Sequence, residues 1–224
     1  MDQIKSSRLW RTMQSHTLAF PLLQSVDYPW QALSALSDFI LDLGRSLPKD
    51  EYEEILPEVW VARTAHIAPT ALLQKGCIIG HDTEVRQGAF IRGNALIGDG
   101  VVVGNSTELK GCVLFDGVQV PHFNYVGDSI LGYRAHLGAG AITSNVKSDK
   151  GEVIIHCGNL HFPTGRRKLG ALLGDCVEVG CNSVLNPGTV IGSESVIYPL
   201  SSVRGYMGEN CIYKGEGKIV ARFV

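Results

Sequence analysis

The sequence predicts an all-β fold, a left-handed parallel β-helix with a short helical N-terminal extension, and three observations carry that prediction. Every sixth residue from Val61 to Leu109 is aliphatic: Val61, Ile67, Leu73, Ile79, Val85, Ile91, Ile97, Val103 and Leu109. Four places after each stands a small or short residue, as in Ala65, Ala71, Cys77, Thr83, Ala89 and Ala95. Gly, Asn and Asp gather between them, as in Gly80-His-Asp and Gly98-Asp-Gly. A period of six fits neither an amphipathic helix, near 3.6, nor an ordinary strand, at two. It fits a solenoid of very short strands in which each hexad is one face, three hexads close a triangular coil, and coils stack at about 4.8 Å. The branched aliphatic points into the prism, and the small residue lets the corner turn.

The elements follow in chain order. Residues 1–56 read as a helical extension. Within it, 1–27 show weak periodicity and are expected to form an arm of short helical or extended pieces packed on the solenoid. From Tyr28 to Gly44, Trp30, Leu33, Leu36, Phe39, Ile40 and Leu43 recur at three and four, one stripe of an amphipathic helix. Gly44 is expected to end it and Pro48 to prevent resumption. The stripe is expected to cover an open end or a flank of the prism, because an uncapped solenoid exposes a sheet edge. Residues 57–204 read as the β-helix. After Leu109 the step shortens to Leu114, and again from Val126 to Leu131, which is expected to shift the register of the faces. Between about 146 and 170 the hexad disappears; two β-like runs, Glu152 to His156 and Leu160 to Phe162, predict a hairpin arm leaving the coil. The repeat resumes with Leu173, Val179, Leu185, Ile191, Ile197 and Val203. Residues 205–224 form a tail able to cap the far end.

Composition narrows the function. The chain has 224 residues and a net charge of −2 with mixed signs, so no basic stripe marks a nucleic-acid partner. No apolar run approaches the roughly 18 residues of a spanning helix, and the first twenty residues lack a signal-peptide pattern. Six cysteines occur without a C-x-x-C pair. Free thiols in a cytoplasmic protein account for them.

Arg92 and Lys110 lie eighteen residues apart, hence on one face one coil above the other. Two cations that close repel unless an anion sits between them, so this is either an anion site or a pair of solvated surface charges. His122 follows the first shortened step in Val120-Pro-His-Phe-Asn-Tyr-Val-Gly-Asp, with Asn124 and Tyr125 beside it. One coil later comes Leu137-Gly-Ala-Gly-Ala-Ile-Thr-Ser-Asn145. Imidazole titrates near neutrality, as a general base for a protonated amine must. Exposed N–H groups at Gly138-Ala139-Gly140 are candidates to hold a thioester oxygen as charge develops on it.

These two stretches resemble the acetyltransferase half of the bacterial bifunctional enzyme that makes UDP-N-acetylglucosamine, and the C-terminal domains of related sugar-1-phosphate nucleotidyltransferases. The likeness covers roughly Arg92 to Ser202 with one insertion. Arg92, Lys110, His122, Tyr125 and Asn145 satisfy that family's spacing. The resemblance implies a hexapeptide-repeat acyltransferase that moves an acetyl group from acetyl-CoA to the amine of a hexosamine 1-phosphate or sugar nucleotide. It implies His122 as general base, Arg92 and Lys110 on the phosphate, Tyr125 on the sugar, Asn145 orienting the amine or acetyl group, and Lys168 near the phosphate. Ala139 would offer its backbone to the donor, and Cys181 stands where the family has a Ser near CoA. His136 replaces a sugar-contacting Asn. The family's enzymes are homotrimers with sites shared between neighbouring prisms. A non-catalytic module that trimerises or senses sugar beside a separate nucleotidyltransferase is the alternative. A metal-dependent lyase on this fold needs three histidines converging between subunits, and His66, His81, His122, His136, His156 and His161 do not show that spacing.

Overall fold

The computed structural model describes residues 2–223, and for Asp2 the backbone alone. Three parallel ladders form the sides of a triangular left-handed β-helix. One nine-stranded side runs from Tyr52–Leu56 through Cys77–Ile79, Ala95–Ile97 and Ala171–Leu173 to Tyr206–Met207; it is the covered face. A seven-stranded side from Leu72–Leu73 to Ser202–Val203 is the open face. The third face has nine strands, from His66–Ile67 to Ile219–Ala221.

The six-residue period appears as vertical columns of buried side chains. On the covered face Val61, Ile79, Ile97, Leu114, Leu131, Leu173, Ile191 and Met207 stand rung on rung inside the prism. The shortened steps after Leu109 and Val126 leave these columns aligned: Ile97 still faces Leu114, and Leu114 faces Leu131. The expected shift of register is therefore absent. The lost residue comes out of the corner, where Arg92-Gly93-Asn94 of one coil is matched by Lys110-Gly111 and by Gly127-Asp128 on the next two.

What turns outward separates the faces. On the covered face the outward column Ile78, Leu96, Val113, Ile130, Leu172 and Val190 is apolar and at most 1% exposed. The N-terminal extension accounts for the cover, packing on a flank rather than on an end. Its long helix, Pro29–Ser46, buries Trp30, Leu33, Leu36 and Ile40. Gly44 does not stop this helix; it lies inside it, where a Cβ would come within 2.3 Å of the Trp60 ring. Termination falls at Leu47-Pro48, because the residue before proline is driven out of the helical region. Ahead of the helix, Trp10 is fully buried, donates Nε1–H to the Leu173 carbonyl at 2.6 Å and packs on Phe115 at 5.3 Å. His16 stacks on Tyr133 at 3.7 Å.

Antiparallel strands close both ladder ends: Tyr52–Leu56 on Val59–Ala62, and Ile219–Ala221 on Cys211–Tyr213. The arm at 146–170 contains an antiparallel hairpin, Ile154–Cys157 with Leu160–Pro163, but does not leave the coil. Val153 and Ile155 are fully buried, Val153 lies against Gly188, and Phe162 meets Tyr28 and Trp30 edge-on. The hairpin carries apolar side chains that only this return can bury. Among the described residues no helix is long and apolar enough to cross a membrane.

Candidate functional site

Except for Tyr125, on the open face itself, and His136, on the third face, the sequence-predicted residues fall on or beside the two long edges that bound the open face. The edge shared with the third face carries His122, Ala139 and Cys181, one per successive coil: Gly140 donates to the His122 carbonyl at 3.0 Å, and Asn182 to the Ala139 carbonyl at 2.8 Å. Each is followed by a residue in the left-handed region, Phe123, Gly140 and Asn182, so the chain turns and leaves the preceding side chain facing outward. Buried Asn124 fixes the His122 turn. Its Oδ1 accepts from the His122 N–H at 3.1 Å, and its Nδ2 donates to the Gly138 and Ala141 carbonyls at 2.9 and 3.0 Å. The His122 side chain is exposed, and among the described residues its imidazole has neither a hydrogen-bond nor an ion-pair partner.

The glycine-rich turn offers fewer donors than expected. Gly138 N–H is bound to the Val179 carbonyl and Gly140 N–H to that of His122. A parallel ladder consumes alternate amides, and only Ala139 N–H, between them, is left unpaired among the described residues.

The opposite edge, shared with the covered face, carries a connected polar cluster centred on a residue the repeat pattern does not single out. Asp128, 7% exposed, accepts from Lys110 Nζ at 3.1 Å and from Asn145 Nδ2 at 2.5 Å on one oxygen; Arg166 Nη2 stands 3.8 Å from the other. Asn145 Nδ2 also reaches the Tyr125 hydroxyl at 3.2 Å. Burial, and secondarily the Asp128 charge, raise the Tyr125 pKa, so the phenol keeps its proton and can donate it outward. Arg166 comes from the arm and is tied to the long helix by a 2.6 Å bond to Ser34 Oγ. Burial lowers its pKa and Asp128 opposes that shift; a guanidinium remains charged regardless. The signal for Asp128 lies in the corner column. Gly93, Gly111, Gly188 and Gly205 turn this edge with positive φ, and Asp128 does so at φ 47° with a side chain that costs it about 1 kcal/mol.

Arg92 and Lys110 stand one rung apart, as their spacing requires. Each already has a carboxylate, however: Arg92 binds Glu108 at 2.7 Å, which raises its pKa, and Lys110 binds Asp128. These two acids answer the cations' mutual repulsion. Lys168 is exposed at the base of the arm, where its backbone bridges Val146 and the next residue's N–H donates to the Asn145 carbonyl. His136 is not part of this cluster; it stands on the third face with Nδ1 2.7 Å from Glu178. Cys77 and Cys112 are buried inside the prism, their thiols pushed upward by desolvation, Cys77 to about 12. Among the described residues no group of three or more His, Cys, Asp or Glu side chains is close enough to hold a metal ion.

Thus one edge presents an unencumbered imidazole and a free backbone N–H, and the other a carboxylate, an amide, a phenol and cations. In a single chain they are separated by the width of the open face: His122 and Asp128 are six residues apart in one coil, at most about 20 Å of extended chain.

Comparison with known proteins follows this geometry. The chain is 36% identical over 106 residues to a bifunctional sugar-1-phosphate nucleotidylyltransferase/acetyltransferase of Sulfurisphaera tokodaii, covering 47% of this chain and 26% of that protein. It is 32% identical to the bifunctional protein GlmU of Methanococcus maripaludis, covering 68% of this chain and 28% of the relative. The chain thus spans about a quarter to a third of the length of these relatives. Among solved structures, the acetyltransferase domain of PglB from Neisseria gonorrhoeae, in complex with acetyl coenzyme A, aligns with TM-score 0.32 and 14% identity, covering 73% of this chain and 57% of that one. Residues 73–197, more than half of the sequence, match the GMPPB C-terminal domain, and the chain belongs to that family.

Proposed function

We propose that the protein is an acetyl-CoA-dependent N-acetyltransferase acting on an amino-sugar 1-phosphate or a related sugar nucleotide. The observation that carries this reading is the stack of a free imidazole, His122, one coil below a free N–H, Ala139, on an exposed edge. His122 takes a proton from the amine as its nitrogen attacks the thioester carbonyl. The Ala139 N–H donates to the carbonyl oxygen while charge builds on it, the carbon–sulfur bond breaks, and the departing thiolate takes up the proton. Cys181, one coil further, continues the edge along which the donor lies. Lys110, Tyr125, Asn145 and Lys168, with Arg92 further down the same edge, hold the acceptor.

Because the two edges of one chain are a face-width apart, a complete site places the His122 edge of one copy against the Asn145 edge of another. A homotrimer does this three times with one contact. The Sulfurisphaera relative, a bifunctional sugar-1-phosphate nucleotidylyltransferase/acetyltransferase, supports an acetyltransferase role in sugar metabolism, and the unpaired cysteines are consistent with the cytoplasm. His136, fixed on Glu178 away from the Lys110 cluster, contacts the acceptor only from a neighbouring copy.

The direct test is acetyl transfer from acetyl-CoA to glucosamine and galactosamine 1-phosphates and their nucleotide-linked forms. His122→Ala is expected to lower kcat by roughly 10²–10⁴-fold; full activity in the variant removes the base assignment. Heat of acetyl-CoA binding separates this reading from a non-catalytic module, which gives none.

A further inference from the structure

The arm does more than cover apolar surface. Where it returns to the coil it walls a groove of about 460 Å³ that begins at Ser144 and Val146, on either side of Asn145, and runs up the same edge to Arg204. Its volume is within the roughly 300–1,000 Å³ of small-molecule sites. Two cations line it. Lys147 is braced by Asp149 at 3.1 Å and by the Glu152 carbonyl at 3.2 Å, whereas Arg204 is exposed and has no partner among the described residues. Asn186 lines it as well, 9% exposed, its Nδ2 used on Ser202 and Val203 and its Oδ1 accepting nothing among the described residues. Pro187 and Ile154 add an apolar wall.

The register sets the scale. Lys110, Gly127, Ser144, Asn186 and Arg204 occupy one column, so the two cations at its ends are four rungs, about 19 Å, apart, with only short side chains between them. The lower cations are neutralised by Glu108 and Asp128, while the upper end keeps a net positive charge. A hexose phosphate spans only a fraction of this channel. A nucleoside diphosphate group offers what the upper half lacks: anionic oxygens for Lys147 and Arg204, a base face for Pro187 and Ile154, and N–H or hydroxyl donors for Asn186 Oδ1.

We infer that the groove between the arm and the coil is a binding site for a nucleoside diphosphate moiety. This rests on the acyl-transfer reading for the two molecules that can supply one: a sugar nucleotide as acceptor, or the 3′-phospho-ADP end of CoA held against a neighbouring copy. In either case Lys147 of the arm and Arg204 of the coil meet the diphosphate.

The test is calorimetric titration of the full chain with UDP, GDP and 3′-phospho-ADP, each alone. At least one is expected to bind, and Arg204→Ala and Lys147→Ala are each expected to weaken it by roughly tenfold, with Lys218→Ala, a remote exposed cation, unchanged. Weakening of UDP or GDP assigns the groove to the acceptor, and weakening of 3′-phospho-ADP assigns it to the donor. Failure of all three to bind, or equal affinities in wild type, Arg204→Ala and the more conservative Arg204→Gln, overturns the inference. Because the titration reads binding without turnover, its failure leaves the His122→Ala assay standing, and the converse also holds.

Discussion

The covered and open faces are made by the same repeat, with the same inward aliphatics at the same spacing, yet they do opposite jobs. On the covered face the outward column is Ile78, Leu96, Val113, Ile130, Leu172 and Val190, and the chain's own N-terminal extension lies over it. On the open face the corresponding column is Leu72, Phe90, Glu108, Tyr125, Ile142, Val184 and Ser202, and none of these is fully buried. In a solenoid the inward residues set the fold, and the outward ones decide which flank is structure and which is surface for ligands or for another copy. The two functional edges bound the second flank.

Four substitutions probe that division, from the largest effect downward. His122→Ala, on the open edge, is expected to remove roughly 10²–10⁴-fold of the acetyl-transfer rate while leaving the thermal midpoint within a degree or two of wild type, since the ring is exposed and has no hydrogen-bond or ion-pair partner among the described residues. Leu96→Ala, on the covered face, reverses the pattern: a fully buried leucine becomes a cavity, and denaturant unfolding should show a loss of about 2–5 kcal/mol. Activity per folded molecule should hold. Asp128→Asn sits between them. Asn tolerates the left-handed turn, so the corner survives, but Lys110 and Arg166 lose their shared counter-charge, and one amide oxygen is left to serve both Lys110 and Asn145. About 1–3 kcal/mol of stability and roughly tenfold in kcat/KM should go, with KM carrying most of it; unchanged kinetics would make the cluster purely structural. Leu72→Ala, 57% exposed on the open face, is expected to move stability by no more than about 0.5 kcal/mol. A loss as large as that at Leu96 would show that the open face is covered in solution by another molecule.

Much of the fold was readable because the hexad is a direct image of the coil: one aliphatic per face and one tight turn per corner. The amphipathic helix was readable too, although Gly44 misled. A glycine inside a helical stripe signals either an end or a close neighbour, and only the Trp60 ring, sixteen residues on, decides which. The short helices at 2–24 gave little periodicity because Ile4, Leu9 and Trp10 are buried singly against the prism, not along a helix stripe. In the site, His122 and Asn145 were legible through their motif. Asp128 was not, because attention to the aliphatic steps passes over the corner column where it replaces glycine. The pairing of Arg92 with Glu108 was equally hidden, since it depends on two outward side chains of adjacent coils choosing each other. Gly138 and Gly140 show the same limit: a glycine-rich turn suggests free amides, but the ladder had already claimed two of the three.

One guanidinium joins the scaffold's far flank to its working edge. Arg166 holds Ser34 on the long helix with one nitrogen and faces Asp128 with another, so the N-terminal extension and the arm share a single fastening beside Asn145. A fragment trimmed to the hexads alone would keep its spool but let that fastening go slack. Lys110, Asp128 and Asn145 would then be held more loosely than in the whole chain even though all three were still present.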